Sequence, residues 1–226
     1  MRIRLFQLTG GAYAEYVAVS EKVAAIQPHN MTHEEAGAVP LAGLTALQGL
    51  RDSGKIQKGQ KVLINGASGG VGTYAVQIGK VMEAEVTGVC SSQNIELVQS
   101  LGANRVIDYK QQDFTQEGKQ YDIIFDVVGN CSFPQCKDSL TSKGIYVTTQ
   151  PLPKVLLKNL SSLLSRKQAK VILMQPNGED LAYLTRLIQG GKLRSIIDRT
   201  YPLSEVAKAH AYSQEGHATG KIVIRC

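Results

Sequence analysis

The chain has 226 residues, of which 43% are hydrophobic and 19% charged, and its formal net charge is +6. This composition excludes a disordered chain, and no apolar run reaches the about 18 residues that would span a bilayer. The lysines and arginines are dispersed rather than grouped in a basic block, so the positive charge does not predict nucleic-acid binding.

The N-terminal quarter is predicted to contain strands followed by two helices. An alternating stretch at 5–19, rich in Tyr and Val, indicates strands around a Gly-Gly turn. A helix is predicted to begin after Thr32, because Glu35 follows three residues later in the pattern of a capping box. A second helix is predicted from about 42 to 52.

From residue 61 the sequence alternates between short apolar strands and helices. The predicted strands are "KVLIN", "EVTGVC", "RVIDY", "YDIIFDVVG", "GIYVTTQ" and "KVILMQ". The predicted helices are "GGVGTYAVQIGKVM", "NIELVQSLG", a short one near 133–140, one around 152–164, and "EDLAYLTRLIQGG". Nearly continuous apolar strands separated by helices indicate a parallel sheet covered on both faces. The sequence therefore predicts an α/β fold with a doubly wound parallel (Rossmann) sheet.

The C-terminal tail does not continue this alternation. It contains one predicted helix at about 203–213 and a final strand, "KIVIR". We expect this segment to return and pack with the N-terminal strands in a small mixed unit. The predicted domains are therefore a Rossmann domain at 46–192 and a second unit formed by 1–45 and 193–226.

A glycine-rich loop joins the first strand of the alternation to its helix. In "INGASGGVGTYA", Gly66, Gly69 and Gly72 have the spacing G-x-x-G-x-x-G. Glycine lets main-chain N–H groups approach a pyrophosphate closely, and a helix N-terminus favours negative charge. A plain tight turn is the alternative, but the strand–loop–helix setting favours a variant dinucleotide fingerprint. The predicted cofactor contacts in this loop are Gly66, Ala67, Ser68, Gly69, Gly70, Val71 and Gly72.

The end of the next strand indicates which dinucleotide is bound. NAD-selective sites usually place Asp or Glu there, about 20 residues after the glycine loop. This sequence has Cys90, Ser91 and Ser92 instead. A carboxylate would repel a 2′-phosphate, whereas serine hydroxyls can donate to it. The sequence therefore favours NADPH over NADH.

Six motifs in a fixed order relate the chain to a known family: "GGAYAEYVAV", "AVPLAGLTALQGL", "INGASGGVGTYAVQIGK", "LGANRVIDY", "FDVVG" and "GHATGKIVI". With them the chain resembles the medium-chain dehydrogenase/reductase superfamily over essentially its whole length. Within that superfamily it is most similar to the zinc-independent quinone oxidoreductase branch. The resemblance implies a Rossmann domain with a small, partial GroES-like catalytic unit from both termini. It also implies NADPH as cofactor and hydride transfer to a quinone or an α,β-unsaturated carbonyl compound.

The resemblance also implies where the rest of the cofactor would lie. The further contacts are Thr45 beside the nicotinamide, Ser91, Ser92 and Tyr109 around the adenosine 2′-phosphate, and Val128, Gly129 and Thr148 along the cleft. Gln93 departs from the pattern, since many NADPH-using relatives carry Lys or Arg there. No side chain is assigned as catalytic acid, and a water is expected to supply the proton.

Two other chemistries find less support. A catalytic or structural zinc is not expected, because there is no C-x-x-C-x-x-C run and Leu41 stands where zinc-dependent relatives place a ligand. The stretch 66–70 fits the G-x-S-x-G pattern of serine hydrolases, but no His partner for Ser68 is evident.

Cysteine usage and the termini give the remaining expectations. Four cysteines without framework spacing and an N-terminus without a secretory signal predict a cytoplasmic protein. Family members have more catalytic domain before "GGAYAEYV", so a truncated NADPH-binding module without turnover is the alternative function. The apolar strand "KVILMQP" predicts a homodimer through the sheet edge, as relatives often form.

Overall fold

The computed structural model describes residues 13–14, 18–150 and 166–225. The predicted strands at 5–19 lie almost entirely outside the described residues, and the predicted helix at 152–164 lies wholly outside them. Within the described ranges, every helix is too short or too polar to cross a membrane.

Six parallel strands form the central sheet, in the order β3-β2-β1-β4-β5-β6. Their bounds are β1 Lys61–Asn65, β2 Glu85–Cys90, β3 Arg105–Asp108, β4 Tyr121–Asp126, β5 Leu140–Thr148 and β6 Gln168–Val171. This is the strand order of the Rossmann fold, in which the chain reverses its direction of winding between β1 and β4. The predicted doubly wound sheet is therefore confirmed.

Seven α-helices are described around the strands. Their bounds are α1 His33–Ala38, α2 Pro40–Gln48, α3 Gly70–Val81, α4 Ile95–Ser100, α5 Phe133–Cys136, α6 Gly178–Gln189 and α7 Val206–Gln214. The predicted capping box is present before α1, where Glu35 N donates to Thr32 Oγ1 at 3.2 Å and Thr32 N donates to Glu35 Oε2 at 2.8 Å. Helix α2 runs on through a π-helical turn, Gly49–Ser53.

Apolar layers cover both faces of the sheet. Leu63 and Ile64 are neighbours on β1, and both are fully buried, but they belong to different core clusters. Successive strand residues point to opposite faces, so the two clusters lie on the two sides of the sheet. This explains why the strands read as continuous apolar runs rather than as alternating ones.

The last strand of the sheet differs from its prediction. The ladder with β5 covers residues 168–171, whereas the sequence predicted a strand at 170–175. The ladder ends because β5 itself ends at Thr148, the partner of Val171. Beyond it Leu173 is 73% exposed.

The tail forms a separate two-stranded parallel sheet from β7, Ile197–Pro202, and β8, Lys221–Arg225. Helix α7 connects the two strands, so the predicted helix and final strand are both confirmed. Their predicted pairing with the N-terminal strands falls outside the described residues. Immediately before β8, Gly220 forms a bridge with Gly69, which ties the tail to the glycine-rich loop.

Candidate functional site

The candidate site lies where β1 and β4 end side by side. Asn65 and Asp126 are register partners at the ends of these strands, and Asn65 Nδ2 donates to Asp126 Oδ1 at 2.9 Å. Open α/β sheets bind ligands in the crevice at this reversal of strand order. The parallel strands all end at the same edge, which therefore gathers the predicted residues of the loop 66–72, the segment 90–92, Tyr109, Val128, Gly129 and Thr148.

Gly66 makes the sharp turn out of β1. Its φ is +86°, and a Cβ at this position would stand 2.5 Å from Val128 Cγ2. The N–H groups of Gly66 and Ala67 both donate to Val89 O, at 3.1 and 2.9 Å. A side chain at Gly66 is therefore excluded both by the left-handed backbone and by the neighbouring loop.

Gly69 and Gly72 serve different purposes. A Cβ on Gly72 would overlap Gly66 O and stand 2.8 Å from Ala67 Cα, so this glycine lets α3 begin directly against the loop backbone. A Cβ on Gly69 would meet only Gly66 O, at 3.5 Å, which is an ordinary contact. Since φ of Gly69 is −80°, its backbone does not require glycine either. The space in front of Gly69 is open.

Gly69 also stands at the N-terminus of α3. Gly69 is the N-cap residue, and neither a side-chain cap nor an acidic residue in the first turn is present. The N–H groups of Gly70, Val71 and Gly72 have no partner inside the helix, as in any first turn. Unpaired donors and the positive end of the helix dipole suit a pyrophosphate.

Lys221 lies against this helix terminus and was missed by the sequence reasoning. Its Cδ and Nζ stand 2.8 and 3.6 Å from a Cβ built on Gly70. The side chain is half-buried, and burial lowers the pKa of the ammonium. Among the described residues no carboxylate pairs with it. A lysine that begins an apolar strand is too common a pattern to have revealed this position.

Asn94 joins three segments around the site and was also missed. Its Nδ2 donates to Ser68 Oγ at 3.2 Å and to Ser91 Oγ at 3.3 Å, and its Oδ1 accepts from Thr219 Oγ1 at 3.3 Å. The hydroxyl of Ser68 therefore contacts an amide, and no described hydrogen bond joins it to an imidazole. The arrangement lacks the base that a serine nucleophile requires.

Ser92 is engaged by a carboxylate that the sequence reasoning did not consider. Asp108 is the register partner of Cys90, one strand further out, and Ser92 Oγ donates to Asp108 Oδ2 at 2.6 Å. Lys110 N and Gln111 Nε2 also donate to this carboxylate, each at 3.0 Å. The bond from Ser92, followed by that from the Lys110 backbone, lowers the pKa of Asp108. The proton of Ser92 thus points at Asp108.

Six of the predicted contacts are buried: Thr45, Ala67, Gly72, Cys90, Ser91 and Thr148. Cys90 and Thr148 are almost wholly enclosed at the ends of their strands, and burial followed by the charge of Asp108 raises the pKa of the Cys90 thiol to about 11. Thr45 is buried on α2, where its hydroxyl donates to Leu41 O at 2.6 Å. Tyr109 is 54% exposed and open to a ligand.

Asp126 fixes the loop that follows β4. This fully buried carboxylate accepts from the N–H groups of Val128 and Gly129, at 3.1 and 2.9 Å. Tyr146 OH approaches both Asp126 Oδ2, at 2.8 Å, and Cys131 O, at 2.5 Å. Burial, and then the charge of Asp126, raises the pKa of Tyr146, so its hydroxyl stays protonated as a donor. One side of the crevice is thereby held in place.

The described part of the chain can be compared with the requirements of a zinc site. Within the described ranges, no three His, Cys, Asp or Glu side chains come together as ligands would. Cys131 and Cys136 are joined in a disulfide, a link that the cysteine spacing did not predict.

The model of the zinc-binding dehydrogenase family matches residues 101–224. The chloroplast envelope quinone oxidoreductase homolog of Arabidopsis thaliana is 36% identical, over 97% of this chain and 70% of that protein. The chloroplastic NADPH-dependent alkenal/one oxidoreductase of the same plant is 32% identical, over 95% of this chain and 53% of that protein. The structure of the quinone oxidoreductase from Coxiella burnetii aligns with a TM-score of 0.81 and 32% identity, over 89% of this chain and 63% of that one.

These relatives overturn one expectation from the sequence. Both plant proteins are named for the chloroplast, which contradicts the predicted cytoplasmic location. The absence of framework cysteine spacing was therefore a poor guide to compartment.

The match of the family model to more than half of the residues, together with 36% identity to the Arabidopsis homolog, is decisive for the family. The chain belongs to the zinc-binding dehydrogenase family, within the quinone oxidoreductase branch of the medium-chain dehydrogenase/reductase superfamily.

Proposed function

We propose that this chain is an oxidoreductase that uses NADPH to reduce quinones or α,β-unsaturated carbonyl compounds by hydride transfer. The names of its relatives, quinone oxidoreductase and alkenal/one oxidoreductase, support this substrate class. The observation that carries the proposal is the open space at Gly69 in front of the uncapped N-terminus of α3. Because the relatives are enzymes, they favour turnover over the alternative of a binding module.

The chain's own residues would bind and orient the cofactor. The first-turn N–H groups at 70–72 and the ammonium of Lys221 would hold the pyrophosphate. Thr45 would lie beside the nicotinamide, and Val128, Gly129 and Thr148 along the cleft, as in the family. When bound, the reduced nicotinamide supplies the hydride, and orientation of the acceptor against it provides much of the rate. Water supplies the proton, since no side chain is assigned that role.

NADPH rather than NADH is proposed because Cys90 replaces the usual carboxylate and Ser91 follows it. Tyr109, which is exposed, offers a face to the adenosine. The negative charge of Asp108, at the end of the neighbouring strand β3, would repel a 2′-phosphate and so oppose this preference. Three donors already bind this carboxylate, which reduces the effect. We therefore expect NADPH to be preferred by a modest factor.

Four further features belong to the proposal. Hydride transfer without zinc is part of the proposal, and it is consistent with the described residues, among which no three His, Cys, Asp or Glu side chains cluster. Residues 46–192 form the dinucleotide-binding domain, while 1–45 and 193–226 belong to the substrate domain and add Thr45 and Lys221 to the cofactor site. The chain forms a homodimer through the outer edge of β6, the last described strand of the sheet, and it works in an organelle, as the names of its plant relatives suggest.

A steady-state assay tests the proposal. The full chain is mixed with NADPH or NADH and either a small quinone or an alkenone, and nucleotide oxidation is followed by absorbance. We expect faster oxidation of NADPH. A fluorescence titration in the absence of acceptor measures binding alone, so binding without oxidation would support the binding module instead. Failure to bind either nucleotide would reject the proposal.

A further inference from the structure

A disulfide lies directly after the segment that follows β4 and borders the proposed nucleotide crevice. Cys131 and Cys136 are joined across the segment "CSFPQC", with their Cα atoms 6.7 Å apart. Cys136 is fully buried in one of the two core clusters, whereas Cys131 is half-buried. The segment that separates Cys131 from β4 is residues 127–130, which we call the β4 loop.

The β4 loop is held at both ends, and it touches the glycine-rich loop. At its start Asp126 accepts from the N–H groups of Val128 and Gly129. At its end Cys131 is tied to the core through the disulfide, and its carbonyl accepts from Tyr146 OH. Between these anchors Val128 lies against Gly66. The disulfide thus fixes one end of a loop that borders the proposed nucleotide crevice.

We propose that Cys131 and Cys136 form a redox modification site, which is oxidised by a small disulfide such as glutathione disulfide and which tightens nucleotide binding when closed. The effect on binding rests on the proposed function. The formation of the bond does not, and this difference allows the two to be tested separately.

The chemistry is ordinary thiol–disulfide exchange. The thiolate of Cys131, the more exposed of the pair, attacks glutathione disulfide, forms a mixed disulfide and releases one glutathione thiolate. The thiolate of Cys136 then attacks the Cys131 sulfur and releases the second glutathione. The protein loses two protons and two electrons, which reduce one glutathione disulfide to two glutathione molecules. Since Cys136 is buried, the second step requires α5 to open briefly.

Cys90 does not compete for the oxidant. Its side chain is 2% exposed, and burial together with Asp108 keeps it as an unreactive thiol at neutral pH. The oxidised pair should therefore form without involving the thiol nearest the glycine-rich loop.

The closed bond tightens binding by restricting the β4 loop before the ligand arrives. Reduction leaves the far end of this loop attached by the backbone, by the bond from Asn65 Nδ2 to Asn130 Oδ1 at 2.7 Å, and by the bond from Tyr146 to Cys131, without the covalent link to the core. More conformations of the loop must then be given up on binding, which weakens affinity. We expect NADPH to bind about threefold to tenfold more weakly to the reduced protein.

The test compares the full chain in buffers that contain oxidised or reduced glutathione. Intact mass and alkylation of the unfolded protein count the free thiols, and fluorescence titration gives the Kd for NADPH. In wild type we expect a loss of two hydrogens on oxidation and tighter binding in that state. Cys131→Ser should bind NADPH with the weaker affinity in both buffers. Cys226→Ser, the matched control, should respond like wild type.

Three results would overturn the proposal. One is the absence of an internal disulfide at any glutathione ratio. Another is a disulfide that forms with no change in the Kd for NADPH, which would leave the proposed function intact. The third is a failure to bind NADPH in either state, which would remove the proposed function as well. Thermal unfolding of Cys131→Ser establishes that the variant is folded, since its half-buried position tolerates a hydroxyl.

Discussion

The stem of Lys221 lies across Gly70, the first residue of α3, with Nζ only 3.6 Å from where a Cβ on that glycine would stand. The positive end of a helix dipole repels a cation by about 0.3–1 kcal/mol. Burial adds a further cost, which appears as a lowered pKa of Lys221. A half-buried cation in this place is unfavourable until an anion arrives, so its presence argues for an anionic ligand.

We therefore expect Lys221→Met to bind NADPH at least about tenfold more weakly while the ligand-free protein becomes more stable. Because the pKa of Lys221 is lower in the folded state, the unfolded state binds more protons just below pH 10.5. The free energy of unfolding of the ligand-free wild type should thus rise as the pH increases through the range just below 10.5, and the variant should lack this contribution. Fluorescence titration and thermal unfolding at several pH values measure both effects.

Lys208→Met is the matched control for this prediction. Lys208 is exposed and pairs with Glu205 on the surface, at 2.8 Å. Its loss should leave NADPH affinity unchanged, and because the ion pair is exposed it should have little effect on the pH dependence of unfolding. If Lys221→Met bound NADPH like wild type, the ammonium would have no part in holding the pyrophosphate.

The two glycines Gly69 and Gly72 permit a paired test of the loop. Gly69→Val places its side chain in open space in front of the helix, so the protein should fold while NADPH binding is abolished. Gly72→Val forces its side chain into the carbonyl of Gly66, so this variant should unfold at a much lower temperature or fail to fold. Thermal unfolding by circular dichroism and NADPH titration separate the two outcomes. Normal affinity in folded Gly69→Val would mean that the loop is a plain tight turn and does not bind the pyrophosphate.

Local patterns explain why the sheet and the glycine-rich loop could be predicted. The apolar runs, the breaks between them and the G-x-x-G-x-x-G spacing all lie within a few neighbouring residues. The local sequence therefore contains the strand–loop–helix context from which the role of Gly66 could be predicted. The capping box at Thr32 is a similar case, because both partners lie within one helical turn.

The parts that were missed depend on contacts between distant segments. Lys221 reaches Gly70 only because the tail folds back and Gly220 bridges Gly69. Asp108 meets Ser92 because β3 lies beside β2; the predicted Rossmann order implies that pairing of strands, but not the contact between these two side chains. The link between Cys131 and Cys136 is the exception, because these residues are only five positions apart, but their spacing alone does not distinguish a disulfide from two free thiols. In each case residue type alone gave no signal, since the partner was unknown.

Among the described residues β6 is the last strand of the sheet, and its outer edge leads to a prediction on assembly. Leu173, just beyond this strand, is 73% exposed, and an apolar side chain at an open sheet edge favours pairing with a second copy. We expect Leu173→Lys to shift the protein from dimer to monomer in light scattering at micromolar concentration. Ile26→Lys is the control, because Ile26 is also exposed but belongs to a segment that contacts α6, where Thr185 Oγ1 donates to Ile26 O at 3.3 Å. A monomeric wild type would contradict the proposed homodimer.

The contact between Ser92 and Asp108 sets the last prediction, on the choice of nucleotide. Asp108→Asn removes the negative charge at the end of β3 and frees the hydroxyl of Ser92 from a carboxylate. A 2′-phosphate nearby would then be repelled less, whereas NADH, which lacks that group, would be little affected. We expect the ratio of the Kd for NADH to the Kd for NADPH to rise by about threefold to tenfold. Asp138→Asn, an exposed carboxylate beyond α5, should leave the ratio unchanged. An unchanged ratio in Asp108→Asn would mean that the adenosine 2′ position lies away from β3, and therefore also away from Tyr109.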